Sequence, residues 1–337
     1  MIRKIKISLF VLFAGILVWT VLLPKDFNSK DQVIFNIEKG QGARDISSNL
    51  EEAGLIQSGP LFRLYVTTLG VADKLQAGQY RLSPSMSLLS IAKTMAEGNV
   101  AKETLTIIEG WSLKDIGEYL TGKGLFTAED FWALTGLPAS SKNPSQDFST
   151  QFTFLKDKPK NINLEGYLFP DTYEVKTQAT PESIILAMLG NFDKKITEEM
   201  RAEIKKQGKT IFEIVTMASL IEKEVNTYED KQIVSGVFWK RLKSGMGLDS
   251  CASIAYILGV DKWRYSYEDT RTPSPYNTYL NRGLPLGPIA NPGLDSIKAA
   301  IYPKASQYWY WLSTPEGQTI FSKTLEEHNI AKAKYLE

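Results

Sequence analysis

Seventeen consecutive residues near the N-terminus, Ile7 to Leu23 (ISLFVLFAGILVWTVLL), carry no charge, and no other feature limits the folding options of the chain as strongly. At 1.5 Å per residue, a helix of that length comes close to the minimum that spans a bilayer core, so the run predicts a transmembrane helix. The competing reading is a cleaved leader. A small-x-small cleavage site is missing, however, and the run leads directly into Pro24-Lys25-Asp26. Arg3, Lys4 and Lys6 lie ahead of it, and cytoplasmic flanks are rich in Lys and Arg. Residues 1–6 are therefore expected in the cytoplasm and everything after the run outside it, which makes the chain a single-pass protein of the cell membrane.

The remainder is slightly acidic, because three of the 39 basic residues precede the apolar run while all 38 acidic ones follow it. A nucleic-acid footprint would require the opposite imbalance. Cys251 is the only cysteine, so no intramolecular disulfide forms. His328 is the only histidine. One His and one Cys do not make a typical zinc site, and a Ser-His-Asp triad would have to use His328 in its polar Glu-Glu-His-Asn surroundings, where a solvated helical residue is expected instead. The expectation is chemistry by carboxylates, with no metal and no cofactor.

Along the chain, Val33 to Ile37 alternates as a strand does, Lys39-Gly40 turns, and Ile46, Leu50 and Ala53 recur at helical spacing before Gly54. Seventy residues later the figure returns in Leu105-Thr106-Ile107, Glu109-Gly110, the helical face Leu113, Ile116 and Leu120, and Gly124, which points to an internal duplication. Between the copies, Gly78 to Leu82 reads as a strand and Met86, Leu89, Ile91 and Met95 as a helix. The module over residues 30–100 resembles the LysM-like unit of cell-wall proteins, which implies glycan contact, although such units also serve as plain scaffolds. Residues 101–138 are expected to be a connecting strand-helix region. Residues 139–163 are rich in Ser, Asn, Lys and Pro and predict a linker or surface loop. A second domain follows over 164–337, with helices at about 181–206, 211–225 and 229–244, a strand Tyr308 to Leu312 and a C-terminal helix from Leu325.

In the helix Ile211 to Val225 (IFEIVTMASLIEKEV), the apolar stripe centres on Ile214, Met217, Ala218, Ile221 and Val225. At 100° per residue, Glu222 and Glu224 fall about 160° apart on its two flanks, so only one can face a given cleft. Geometry leaves them tied. The i−4, i−3 and i−7 neighbours of Glu224 are Leu220, Ile221 and Met217, a more apolar set than Ala218, Ser219 and Val215 around Glu222, so desolvation favours Glu224 as the carboxyl with the raised pKa. A raised carboxyl is what protonation of a glycosidic oxygen demands. Seven Trp, fifteen Tyr and many Asn add groups that stack on sugars and hydrogen-bond to them.

Four separated motifs then coincide: LEGYLFPDTYE (164–174), TMASLIEKEV (216–225), SPYNTYLNRGLPLGPIANPG (274–293) and FSKTLEEHN (321–329). Together they resemble the endolytic murein transglycosylases of the MltG (YceG-like) family. The resemblance implies an α+β chain with an N-terminal transmembrane helix, a LysM-like module and a larger catalytic domain. It implies an enzyme that cuts the MurNAc-β-1,4-GlcNAc bond in nascent peptidoglycan and leaves 1,6-anhydro ends, beside penicillin-binding proteins or other wall synthases as candidate partners. It assigns the acid to Glu224, with Glu222 in support. Glu165, Tyr167 and Asp171 would line the cleft, facing Tyr276, Asn277, Thr278 and Arg282. The pattern departs at Asp249, Cys251 and Ala252, where many relatives carry Gln, Asp and Pro. A hydrolase on the same bond and a non-catalytic scaffold for wall synthases are the alternatives.

Overall fold

The computed structural model describes residues 23–137, 145–262 and 264–336. Among them no helix is long and apolar enough to cross a membrane. This corrects the expected fold class: the described chain is α+β, and no transmembrane helix is shown in it. Residues 7–22 of the predicted span lie outside the described residues. Among the described residues two compact units emerge, one up to residue 104 together with 174–179 and one of 105–173 together with 180 onward.

In the first unit, strand β1 (Val33–Ile37) is followed by helices α1 (Ala43–Glu52) and α2 (Gly59–Thr68), strand β2 (Gly78–Leu82) and helix α3 (Leu88–Ala96). The strands pair antiparallel with Val33 opposite Leu82 and Ile37 opposite Gly78. Period-2 alternation sends Phe35 and Ile37 inward from β1, and Tyr80 and Leu82 from β2. They meet Ile46 and Leu50 of α1, Phe62 and Val66 of α2, and Ile91 and Met95 of α3 in one core. Each such side chain contributes about 1.5–3 kcal/mol on burial. Ser58 and Ser87 start α2 and α3 by accepting from Leu61 N and Ser90 N.

The chain leaves and re-enters this unit through β3 (Lys102–Thr106) and β4 (Thr172–Lys176), which pair with each other. The second unit holds α4 (Leu113–Gly122), α5 (Ala128–Thr135), α6 (Pro181–Lys195), α7 (Glu198–Lys206), α8 (Ile211–Glu222), α9 (Tyr228–Lys243), α10 (Cys251–Leu258), α11 (Leu294–Ile301), the hairpin of β5 (Tyr310–Ser313) and β6 (Thr319–Ser322), and α12 (Leu325–Tyr335). Both copies of the seventy-residue repeat carry glycines in the left-handed region at the same points, Gly40 and Gly54 in one, Gly110 and Gly124 in the other. Their helices start differently. No side chain caps α1, whereas Ser112 and Asp115 form a reciprocal capping box at α4.

Three expectations change. The segment 139–163, of which 145–163 is described, buries Phe148, Phe154, Leu155 and Ile162, and Phe154 packs on Phe192 and Tyr167. It is part of the core of the second unit, and its polar composition describes only the residues between these anchors. The helix expected over 181–206 breaks at Ile196, because the Thr197 hydroxyl accepts from Met200 N and starts a new helix. The third change concerns α8, which is buried on all sides from Ile214 to Ile221, not along one stripe. Its polar members are satisfied locally: Thr216 donates to Phe212 O at 2.8 Å and Ser219 to Thr216 O at 2.8 Å. The helix packs against α9 and α11 as the central element of the unit.

Candidate active site

A Thr210–Glu213 capping box starts α8, and its last turn tightens, with Lys223 N donating to Leu220 O and Glu224 N to Ile221 O, each at 3.1 Å. The helix ends at Glu222. Glu224 therefore does not share a helical flank geometry with Glu222, and the two carboxylates enter unrelated surroundings.

Glu222 is enclosed and already paired. Its Oε1 accepts from Lys231 Nζ at 3.0 Å, and both side chains are at most 8% exposed. Its Oε2 accepts from Gly293 N at 2.9 Å. Glu109 crowds the same spot: a Cβ on Gly293 would stand 2.1 Å from Glu109 Oε1, so any larger residue there would displace the Glu109 carboxylate. Burial and the neighbouring Glu222 raise the Glu109 pKa.

Glu224 instead heads a cleft of about 550 Å3 that is also lined by Lys223, Cys251, Ala252, Ala255, Tyr265 and Tyr279. Its Oε1 accepts from Ser250 Oγ at 2.5 Å, its Oε2 from Trp311 Nε1 at 3.2 Å, and its backbone carbonyl from Ser313 Oγ at 3.1 Å. Burial pushes its pKa up, and the Ser250 hydroxyl, the Trp311 indole and the Arg241 charge pull it partly back. The result is a carboxyl biased toward the protonated form, held in a fixed orientation at the wall of an open cleft.

Each of the two donors is itself held. Ser250 N donates to Thr278 Oγ1 at 3.0 Å, and Ser253 Oγ donates to Ser250 O at 2.8 Å. Asn277 fixes the loop that carries Thr278, donating from Nδ2 to Thr270 O and Thr272 O and accepting from Tyr279 N. Phe238 meets the Trp311 ring edge-on at 4.9 Å, and the Arg241 guanidinium lies 5.3 Å from it while donating to Trp309 O and Leu248 O. Asp249, just before Ser250, has φ +50°, the one left-handed non-glycine among the described residues. Such a conformation costs on the order of 1–3 kcal/mol. An acidic residue thus occupies a strained position next to the Ser250 that holds the Glu224 carboxyl group.

The other expected site residues are distributed more widely. Thr278 and Asn277 are fully buried supports of the Glu224 site. Glu165 is also fully buried. It accepts from Leu113 N and Asn291 Nδ2 at the start of α4 and from Tyr256, and burial raises its pKa to about 8. It does not line the cleft, nor do Tyr167 and Tyr276. Tyr167 packs between Phe154 and Phe192, and Tyr276 against Tyr256. Asp171 accepts from Asn191 and pairs with Lys195 at 3.3 Å, which lowers its pKa. Arg282 is exposed beside Gly247, whose Cβ position lies 2.6 Å from Arg282 Nη1 and 2.5 Å from Asp249 Oδ1. His328 is not a solvated helical residue: it is 9% exposed, stacked on Tyr310 at 5.4 Å, and burial lowers its pKa to about 4. No cluster of three or more His, Cys, Asp or Glu suited to a metal occurs among the described residues.

Ser250 and Trp311, which hold the Glu224 carboxyl group, are the site residues that the sequence does not reveal. Trp311 belongs to the alternating run Tyr308 to Leu312, which announces a strand without saying which face meets Glu224. Ser250 carries no local signal at all.

With that geometry in hand, comparison with known proteins is informative. The model of the YceG-like family matches residues 35–334. The Bacillus subtilis (strain 168) protein named endolytic murein transglycosylase is 35% identical over 322 residues, 94% of this chain and 88% of that protein. A protein of the same name from Streptococcus pneumoniae serotype 2 is 35% identical over 334 residues, covering 94% of this chain, which spans only 60% of the pneumococcal protein. Among solved structures, a crystal structure of a yceG-like protein from Listeria monocytogenes aligns with a TM-score of 0.60 and 35% identity, covering 90% of this chain and all of that one.

Proposed function

The chain belongs to the YceG-like family, and from that premise we propose that it is an endolytic murein transglycosylase with Glu224 as its acid and then its base. One observation carries this reading: a carboxyl with a raised pKa at the wall of an open cleft, clamped by Ser250 and Trp311. Protonated Glu224 gives its proton to the glycosidic oxygen as the C1–O4 bond breaks. The muramoyl C6 hydroxyl then attacks C1, its proton passes to the Glu224 carboxylate, and the O6–C1 bond closes the 1,6-anhydro ring. Atoms and protons balance without water. No second carboxylate is needed, in contrast to hydrolases that activate water with one. Glu222, locked to Lys231, is a structural neighbour in this scheme.

Among the described residues, Asp261 is the other carboxylate lining the cleft. If it activated water, the products would carry reducing ends. Digestion of purified glycan strands in 18O-labelled water, followed by mass spectrometry, distinguishes the two. The proposal predicts unlabelled anhydro ends, and 18O-labelled reducing ends would replace it with a hydrolase. The substrate lies outside the cytoplasm, so the reading puts the second unit on the wall side of the cell membrane. Penicillin-binding proteins and other synthases that extend the strands are the partners it points to.

A further inference from the structure

The cleft that holds Glu224 does not end at Lys223. A second depression of about 280 Å3 is lined by Gly110, Trp111, Ser112, Asp115, Tyr256 and Val260, and it shares Lys223, Ala252, Ala255 and Asp261 with the first. Ala252 and Ala255, which line both, lie at helical spacing along α10, and Gly259 at its C-terminal end lines the second, so the two depressions adjoin over small side chains. Lys223 stands at the junction. It neighbours Glu224 in sequence, and its Cδ lies 3.5 Å from the Cβ position of Gly110. In the second arm, Trp111 is half-buried and braced by Tyr119, with ring centroids 5.1 Å apart. Its backbone is fixed as well, since its carbonyl accepts from both Asn291 N and Asn291 Nδ2. The indole N–H has no hydrogen-bond partner among the described residues.

A braced aromatic face with a free N–H, in an arm of mixed polar and apolar lining that adjoins the cleft of the acid, matches a pyranose ring, which offers an apolar C–H face to stack on and hydroxyls to accept. We propose that this arm is a subsite for the glycan strand as it continues beyond the bond that is cut, with Trp111 as its stacking platform. The inference rests on the transglycosylase reading and adds to it a physical reason for cutting inside a strand: a substrate that fills both arms must extend past the acid.

The full-length protein tests this with Trp111→Ala, Trp111→Phe and Val260→Trp, the last filling the same arm from an exposed position. On strands of graded length, Trp111→Ala and Val260→Trp are expected to raise KM about tenfold with kcat within about twofold, as the loss of a well-packed aromatic contact does. Trp111→Phe should restore most of the affinity. The gain in kcat/KM with strand length seen for the unmodified protein should flatten in the first two variants. An unchanged KM in both, with anhydro ends still released by the unmodified protein, overturns the subsite and leaves the reaction standing. An unmodified protein that yields no anhydro ends overturns both.

Discussion

In the proposed mechanism, the protonation of Glu224 rests on a balance between burial, which favours the acid, and two hydrogen bonds, which favour the carboxylate. Activity needs the protonated form at the start of each turnover, so kcat/KM falls as pH rises through the raised pKa. Ser250→Ala removes a hydroxyl that stabilises the charged form. The pKa therefore climbs further, and the alkaline limb of the pH profile moves to higher pH. Loss of orientation lowers the rate at the optimum by on the order of tenfold to a hundredfold. A pH-rate profile of the variant checks both, and an alkaline limb that stays put or moves to lower pH contradicts this account of Ser250. Sequence alone leads to Glu224 through its apolar neighbours and through the motif. It says nothing of Ser250 or Trp311, because they come from a loop 26 residues away and a strand 87 residues away.

Among the elements, α8 and its exit decide how the two glutamates of one triplet are used. Helical periodicity runs on through Val225, and the local sequence Lys223-Glu224-Val225 contains neither Gly nor Pro to mark a stop. The early end at Glu222 is a tertiary effect. Glu222 is drawn to Lys231 of α9 and to Gly293 N ahead of α11, while Glu224 is drawn to α10 and β5. The all-round burial of α8 was illegible for a related reason: Thr216 and Ser219 read as polar, yet each donates to its own helix backbone and can be buried at little cost. Lys231→Met leaves the Glu222 carboxylate buried without its cation, and removing one partner of such a pair costs about 3–5 kcal/mol. Urea unfolding measures it, and a loss below about 1 kcal/mol would show that the pair does not hold α8 to α9. Glu222→Gln keeps the shape of the side chain, so the folded fraction should retain most of its rate, unlike any change at Glu224.

Across the whole molecule, the boundary between the units was legible only in part. The alternation of β1 and β2 and the spacing of α1 to α3 announced the first unit. Residues 139–163 read as a linker by composition, yet their described part, 145–163, belongs to the second unit through Phe148, Phe154 and Ile162, isolated anchors that no periodicity reveals. Glu165 ties that unit together in a pH-dependent way. Its folded pKa of about 8 stands above the 4.5 of an unperturbed glutamate, so its contribution to stability is complete below about pH 4.5 and is lost as pH rises through 8. Thermal melts should show the protein weakening between pH 5 and 8 more steeply than Glu165→Gln, and parallel declines would refute that role. The central claim is that Glu224 performs the proton transfers. Purified glycan strands incubated with Glu224→Gln, verified as folded by a melting temperature within a few degrees of the unmodified protein, test it most directly. Mass spectrometry should find anhydro-ended fragments reduced by at least about 10²-fold, the scale of a lost general acid. Undiminished anhydro products from the folded variant would contradict the account.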